Sequence, residues 1–273
     1  MSGGRFQNLE FPDGRRGPQP GSPGGPGAQP GPDRHFIAEV RDAAYYLAQA
    51  AKHELAGDFE RALRSFSAAL GENPLCLEAW VGQLLMLLDL EEYPEARTWA
   101  DKALEKFPDH PQLLAAKAVA FHRMGLDRQA RDLCDAALAA KGESALVWLC
   151  RGELMLAISA PAAEDCFARA LRLAERKAAA QLRIGAVCLR CGKQALALSA
   201  LQEASAALPR SALAWFLVGE AQAKLGLAER SRASYRQAAE LAPGNDRYAA
   251  AANPPPPSWG AGLSRFFGRL FGK

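Results

Sequence analysis

Proline and glycine recur in this chain at a fixed interval. Pro74 and Pro108 stand 34 residues apart, as do Pro209 and Pro243, and Gly192 and Gly226 keep the same spacing. A period of this length means that one small structural unit is copied along the chain. Overlaid at this period, six segments align: 43–76, 77–110, 111–144, 145–177, 178–211 and 212–245. Each reads as helix, tight turn, helix and a Pro or Gly stop. Ala and Leu dominate the apolar residues while β-branched residues are scarce, which favours helix over sheet, so no strand is expected.

The small-residue positions repeat with the stops. Ala62, Ala96, Ala130, Ala163 and Ala197 share one place in the second helix of successive segments, and Ser231 takes it in the sixth. Ala69, Ala103, Ala137, Ala170, Ala204 and Ala238 share another, seven residues on. Phe66, Phe167, Leu201 and Tyr235 stand between these two alanines. First helices open with Tyr46, Trp80, Leu114, Trp148, Gln181 and Trp215, and carry small residues at Ala50, Ala118, Gly152, Gly185 and Gly219. A side chain no larger than methyl lets two helices approach closely, and the large residues fill the space between them.

Over residues 36–245 this pattern resembles the tetratricopeptide repeat (TPR) family. The first segment (Gly57-Asp58-Phe59, Ala62, Phe66, Ala69, Pro74) and the sixth (Trp215, Gly219, Gly226, Tyr235, Ala238, Pro243) carry the resemblance best. It implies an all-α fold, a right-handed α-solenoid of about six helix–turn–helix repeats. One helical hairpin cannot bury its apolar face alone, whereas stacked neighbours make a continuous core and a curved inner surface. Three departures stand out. The second segment has Leu84 where a small residue is usual, Glu91-Glu92 where Gly is usual, and Pro94 near the start of its second helix, a place where proline is tolerated. The fourth segment is one residue short, and the shortfall is assigned to its turn, 157–161. The fifth lacks an opening aromatic.

The resemblance also implies that the first helices line the concave face. Its expected partner groove is Leu47, Ala51, Val81, Leu85, Ala115, Val119, Leu149, Glu153, Leu182, Ala186, Phe216 and Glu220. Family members that clamp a chaperone's C-terminal carboxylate use Lys, Asn and Arg at such places. Leu47 and Ala51 occupy the positions of the Lys and Asn here, so the groove reads as one for an amphipathic helix or an extended apolar peptide. The expected function is a non-catalytic scaffold or adaptor with a protein partner.

The flanks differ in texture. Residues 1–34 hold nine Gly and seven Pro and cannot bury enough apolar area to offset ordering, so a disordered arm is expected. Phe6, Leu9 and Phe11 form one apolar island in it, either a chance cluster or a short docking motif. Residues 246–257 read as a short helix followed by the Pro254–Pro257 spacer. In the tail, 258–273, Leu263, Phe266, Phe267, Leu270 and Phe271 fall on one side at 100° per residue, while Arg265, Arg269 and Lys273 form another stripe. This basic amphipathic segment fits an anionic membrane surface, a hydrophobic groove on a partner or on its own repeats, or the last helix of the array, which the truncated segment after Asp246 is expected to cover poorly.

Net charge is +3, of which the arm holds +1 and residues 246–273 hold +3, leaving −1 for residues 35–245. A nearly neutral middle argues against nucleic acid as a partner. The N-terminus has no apolar run of signal-peptide length, no stretch is a clean apolar run that could span a bilayer, and the six Cys sit in helical patterns. These features predict a reducing, cytoplasmic location, peripheral on a membrane if the tail binds one. Cys188 and Cys191 form a lone CxxC; zinc needs about four ligands and no second pair stands near in sequence, so no metal or cofactor is expected, and a metal or thiol function at this pair stands only as the weakest alternative to the scaffold. None of the four His has a suitably spaced acid or nucleophile, so no catalytic residues are expected.

Overall fold

The computed structural model describes residues 41–140 and 143–253. Among them are thirteen helices and no strand: α1 (Ala43–Ala56), α2 (Phe59–Glu72), α3 (Leu77–Asp89), α4 (Tyr93–Lys106), α5 (Pro111–Arg123), α6 (Asp127–Ala139), α7 (Ala145–Leu156), α8 (Ala160–Leu173), α9 (Lys177–Arg190), α10 (Gln194–Ala207), α11 (Ala212–Lys224), α12 (Ala228–Leu241) and α13 (Asp246–Ala252). The chain divides into two compact units, Met1–Glu54 with Asp58–Gly142, and Leu55–Gly57 with Glu143–Lys273. In the first unit α3 pairs with α4 and α5 with α6, and α5 also packs on α3 and α4. In the second, α7/α8, α9/α10 and α11/α12 form successive pairs, and α9 packs on both α7 and α11.

One turn design closes five of the six hairpins. A residue one or two past the first helix is left-handed: Gly57, Glu91, Gly125, Gly192 and Gly226. The next amide then reaches back to the carbonyl five residues earlier, as in Asp58 to His53, Glu92 to Leu87, Leu126 to Phe121, Lys193 to Cys188 and Leu227 to Gln222, at 2.8–2.9 Å. These bonds satisfy carbonyls that the helix end would otherwise leave unpaired. The fourth hairpin departs from the design. The segment is one residue shorter between its two helices' packing positions, with α7 12 residues long against 13 for α3, α5 and α11, and the turn 157–159 lacks the left-handed residue of the others. No left-handed residue is needed there, so the β-branched Ile158 is tolerated. The Ser159 amide instead bonds Met155 O at 2.8 Å, and Ser159 Oγ accepts from the Ala162 amide and caps α8.

The small positions receive large partners. A Cβ added to Gly152 would lie 2.3 Å from the Phe167 ring, one on Gly185 2.3 Å from Leu201, and one on Gly219 2.6 Å from Tyr235. The second hairpin reverses the sizes: Leu84, only 1 % exposed, takes the glycine's place, and the position equivalent to Phe167 is the fully buried Ala100. Helix junctions reuse another device. Trp80 Nε1 donates to Pro74 O, and Trp215 Nε1 donates to Pro209 O, each at 3.0 Å. The Pro that stops one hairpin thereby anchors the indole that opens the next.

At the end of the second unit, α13 covers the α11–α12 hairpin. Asn245 caps it by accepting from the amides of Arg247 and Tyr248. Tyr248 is 2 % exposed and stacks on Phe216 at 4.6 Å between centroids, and Arg247 lies over the same ring. The expectation that the segment after Asp246 covers the last hairpin poorly is therefore corrected: Tyr248 and Ala252, with Ala251 partly buried beside them, pack on that face. The arm, 1–34, and the tail, 258–273, lie outside the described residues.

Candidate protein-binding surface

The expected groove residues fall on the first helices of the hairpins, but they divide by exposure. Val81, Ala115, Val119, Leu149, Glu153, Leu182 and Phe216 are buried, Ala115 completely. Leu47, Ala51, Leu85, Ala186 and Glu220 keep part of their surface. For the buried seven, the partner-facing surface anticipated from the sequence is missing. Successive first helices pack on each other, α3 with α5, α7 with α9 and α9 with α11, and so cover each other's inward positions. Phe216 is covered by Tyr248.

Both groove carboxylates are engaged within the chain. Glu153 Oε1 stands 3.8 Å from Arg190 Nη1. Glu220 Oε1 accepts from the Tyr235 hydroxyl at 2.7 Å. Burial, and then this bond, raise the Tyr235 phenol above its ordinary pKa. Beside it, Ser234 Oγ donates to Gln222 Oε1 at 2.8 Å, both side chains being buried. Such bonds hold polar groups in place without desolvation loss, so α11 and α12 form a rigid polar seam beside the accessible positions.

The remaining sequence candidates scatter. Cys188 is buried, and burial, followed by the nearby Cys191, pushes its thiol up to about 12, so it stays protonated. Cys191 is exposed at the end of α9. A thiolate is the form that attacks or ligates, so the buried member of the CxxC is an inert apolar side chain. Among the described residues no group of three or more His, Cys, Asp or Glu could hold a metal ion. His53 and His110 are both lowered in pKa, chiefly by burial, and His122 Nδ1 pairs with Asp127 Oδ1 at 2.7 Å, tying α5 to α6. The tail residues Leu263, Arg265, Phe266, Phe267, Arg269, Leu270, Phe271 and Lys273 lie outside the described residues, as does His35. No helix among the described residues is long and apolar enough to cross a membrane.

Sequence reasoning overlooked the apolar residues at the turn edges. Leu126, Leu225 and Leu227 are exposed, and Ile158 is 62 % exposed. The available signal was an apolar residue flanking the turn itself, in Gly125-Leu126 and Leu225-Gly226-Leu227. Trp148, expected as the opening aromatic of its helix, lies half-buried under the guanidinium of Arg169 at 4.3 Å, with Arg169 in turn paired to Glu143. A stacked cation of this kind stabilises by roughly 0.5–1 kcal/mol at an exposed site.

The tetratricopeptide repeat family matches residues 56–111 and 192–246. No curated protein matches the sequence. Among solved structures, the chain is similar to the Cut9–Hcn1 hetero-tetramer of APC/C at 15 % identity and a TM-score of 0.48, covering 78 % of this chain and 42 % of that one. It is similar to YrrB, described as a TPR protein with an unusual peptide-binding site, at 21 % identity and a TM-score of 0.40, covering 69 % of this chain and 98 % of that one. A thermophilic TPR protein of Thermus thermophilus shares 23 % identity with a TM-score of 0.44, covering 77 % of this chain and 98 % of that one. The two matched stretches, with hairpins of the same turn and period in both units, show that the chain carries tetratricopeptide repeats at residues 56–111 and 192–246.

Proposed function

We propose that this chain is a protein-interaction scaffold that holds a partner's amphipathic helix or extended apolar segment against the first helices of its hairpins. The observation that carries this reading is the division of the inward positions: seven seal the core, while Leu47, Ala51, Leu85, Ala186 and Glu220 remain accessible on the same helical faces. Rigid hairpins supply the pre-organisation that lets a modest apolar strip bind without a large ordering penalty. Binding would draw on burial at Leu85 in the first unit and, separately, on Ala186 with the polar Glu220 in the second. The test uses the purified full chain and a partner identified by capture. Leu85→Glu and Ala186→Glu, one in each unit, should each weaken that partner about tenfold or more if the residues are central contacts, with helix content unchanged. Capture that neither variant alters overturns the assignment.

A second reading, a peripheral membrane adaptor, is supported by the separation of apolar and basic residues in Leu263–Lys273. Flotation of the full chain with anionic vesicles tests it. Binding should be lost on removing residues 258–273, and a full chain that ignores such vesicles overturns it.

A further inference from the structure

The first hairpin has an opening that the second lacks. In the second, the indoles of Trp80 and Trp99 pack at 5.7 Å between centroids, and Trp80, Leu87 and Trp99 are all buried. One repeat earlier, 34 residues back, the same three positions are Tyr46, His53 and Ser65. All three are only half-buried, and they line an open cleft of about 310 Å³ between α1 and α2 together with Arg61, Arg64 and Ala68. The serine in place of Trp99 leaves room for an aromatic ring. The helix above is correspondingly open: α1 buries Ala50 alone, while α3 buries nine residues.

We propose that Phe11 of the N-terminal arm fills this cleft, with Glu10 and Asp13 lying against Arg61 and Arg64. Three observations favour this occupant. The open position is the one filled by an indole in the next repeat, so an aromatic side chain has the matching shape. The rim is cationic, with Arg61 and Arg64 both exposed, and Phe11 stands in the acidic stretch Glu10-Phe11-Pro12-Asp13. Arg61 Nε already lies 3.3 Å from Asp58 Oδ2, which pins its guanidinium at the mouth of the cleft. Finally, Phe11 precedes α1 by 32 residues in the chain, a length that spans roughly 30 Å as a flexible coil, more than the length of α1. The segment would cap the first helix, as terminal elements must in stacked repeats.

Photo-crosslinking of the full chain with Phe11→p-benzoylphenylalanine tests the proposal. Adducts should map to the peptides carrying Tyr46, His53, Ser65 or Ala68. Ser65→Trp, which restores the residue of the second repeat and closes the cleft, should cut the adduct yield about tenfold, a change equivalent to ~1.4 kcal/mol. It should also speed tryptic cleavage after Arg15 and Arg16. Arg61→Glu with Arg64→Glu should lower the yield in the same direction, and gives the same readout if Ser65→Trp does not fold. Adducts that map elsewhere in the chain or to another protein overturn the proposal, as does a yield indifferent to the variants.

Discussion

In the sixth hairpin Gly219 faces the ring of Tyr235, and Gly226 supplies the left-handed turn. In the second the equivalent residues are Leu84 with Ala100, and Glu91, which holds a φ of 64°. Both build the same helix pair and both close with the same five-residue reach from amide to carbonyl. The size exchange preserves packing, because the summed volume across the pair is what a close-packed interior senses. The turn has no such exchange. A glutamate in left-handed backbone carries a Cβ that crowds its own carbonyl, a penalty of roughly 1 kcal/mol that nothing across the hairpin offsets. Packing defects in a repeat can be compensated by a neighbour, and backbone defects cannot.

The largest effect should come from breaking the packing half of this comparison. Leu84→Ala should lower unfolding stability by about 3 kcal/mol, since no large residue stands at position 100 to fill the space. Gly219→Ala should cost about 2 kcal/mol by pushing Tyr235 aside. Denaturant titration of both variants checks the pair; a Gly219→Ala chain as stable as the parent would mean that the ring moves freely. The smaller effects belong to the turns and carry opposite signs. Gly226→Ala should destabilise by about 1 kcal/mol, and Glu91→Gly should stabilise by up to about 1 kcal/mol. Equal signs in the same titration would show that left-handed geometry is not what separates the two turns.

Much of this was readable from spacing. The 34-residue interval placed the stops, the recurrent alanines and the helix pairs, because a helix contact between small residues leaves a periodic mark on a sequence. The depth of burial left no such mark. Leu149 and Leu85 look alike as inward-facing leucines, yet the first is buried and the second keeps part of its surface, a difference set by tertiary packing that spacing does not encode. Leu84 read as a departure because its compensation sits sixteen residues away at Ala100. The fourth hairpin's missing residue shows at its turn, where the closing bond reaches back four residues and the other hairpins reach five. Tyr248 was undervalued because a seven-residue helix has little pattern of its own, and its effect comes from one ring stacked on Phe216.

That stacked ring has a consequence for how the chain can be altered. With Tyr248 and Ala252 turned inward, α13 presents Asp246, Arg247, Ala249 and Ala250 outward, a surface of charge and methyl groups with no ridge onto which another hairpin could lock. Among the described residues, the apolar face of the last hairpin is thus closed by α13, so a graft placed directly after Asn253 would meet charge and methyl groups and not the packed interior.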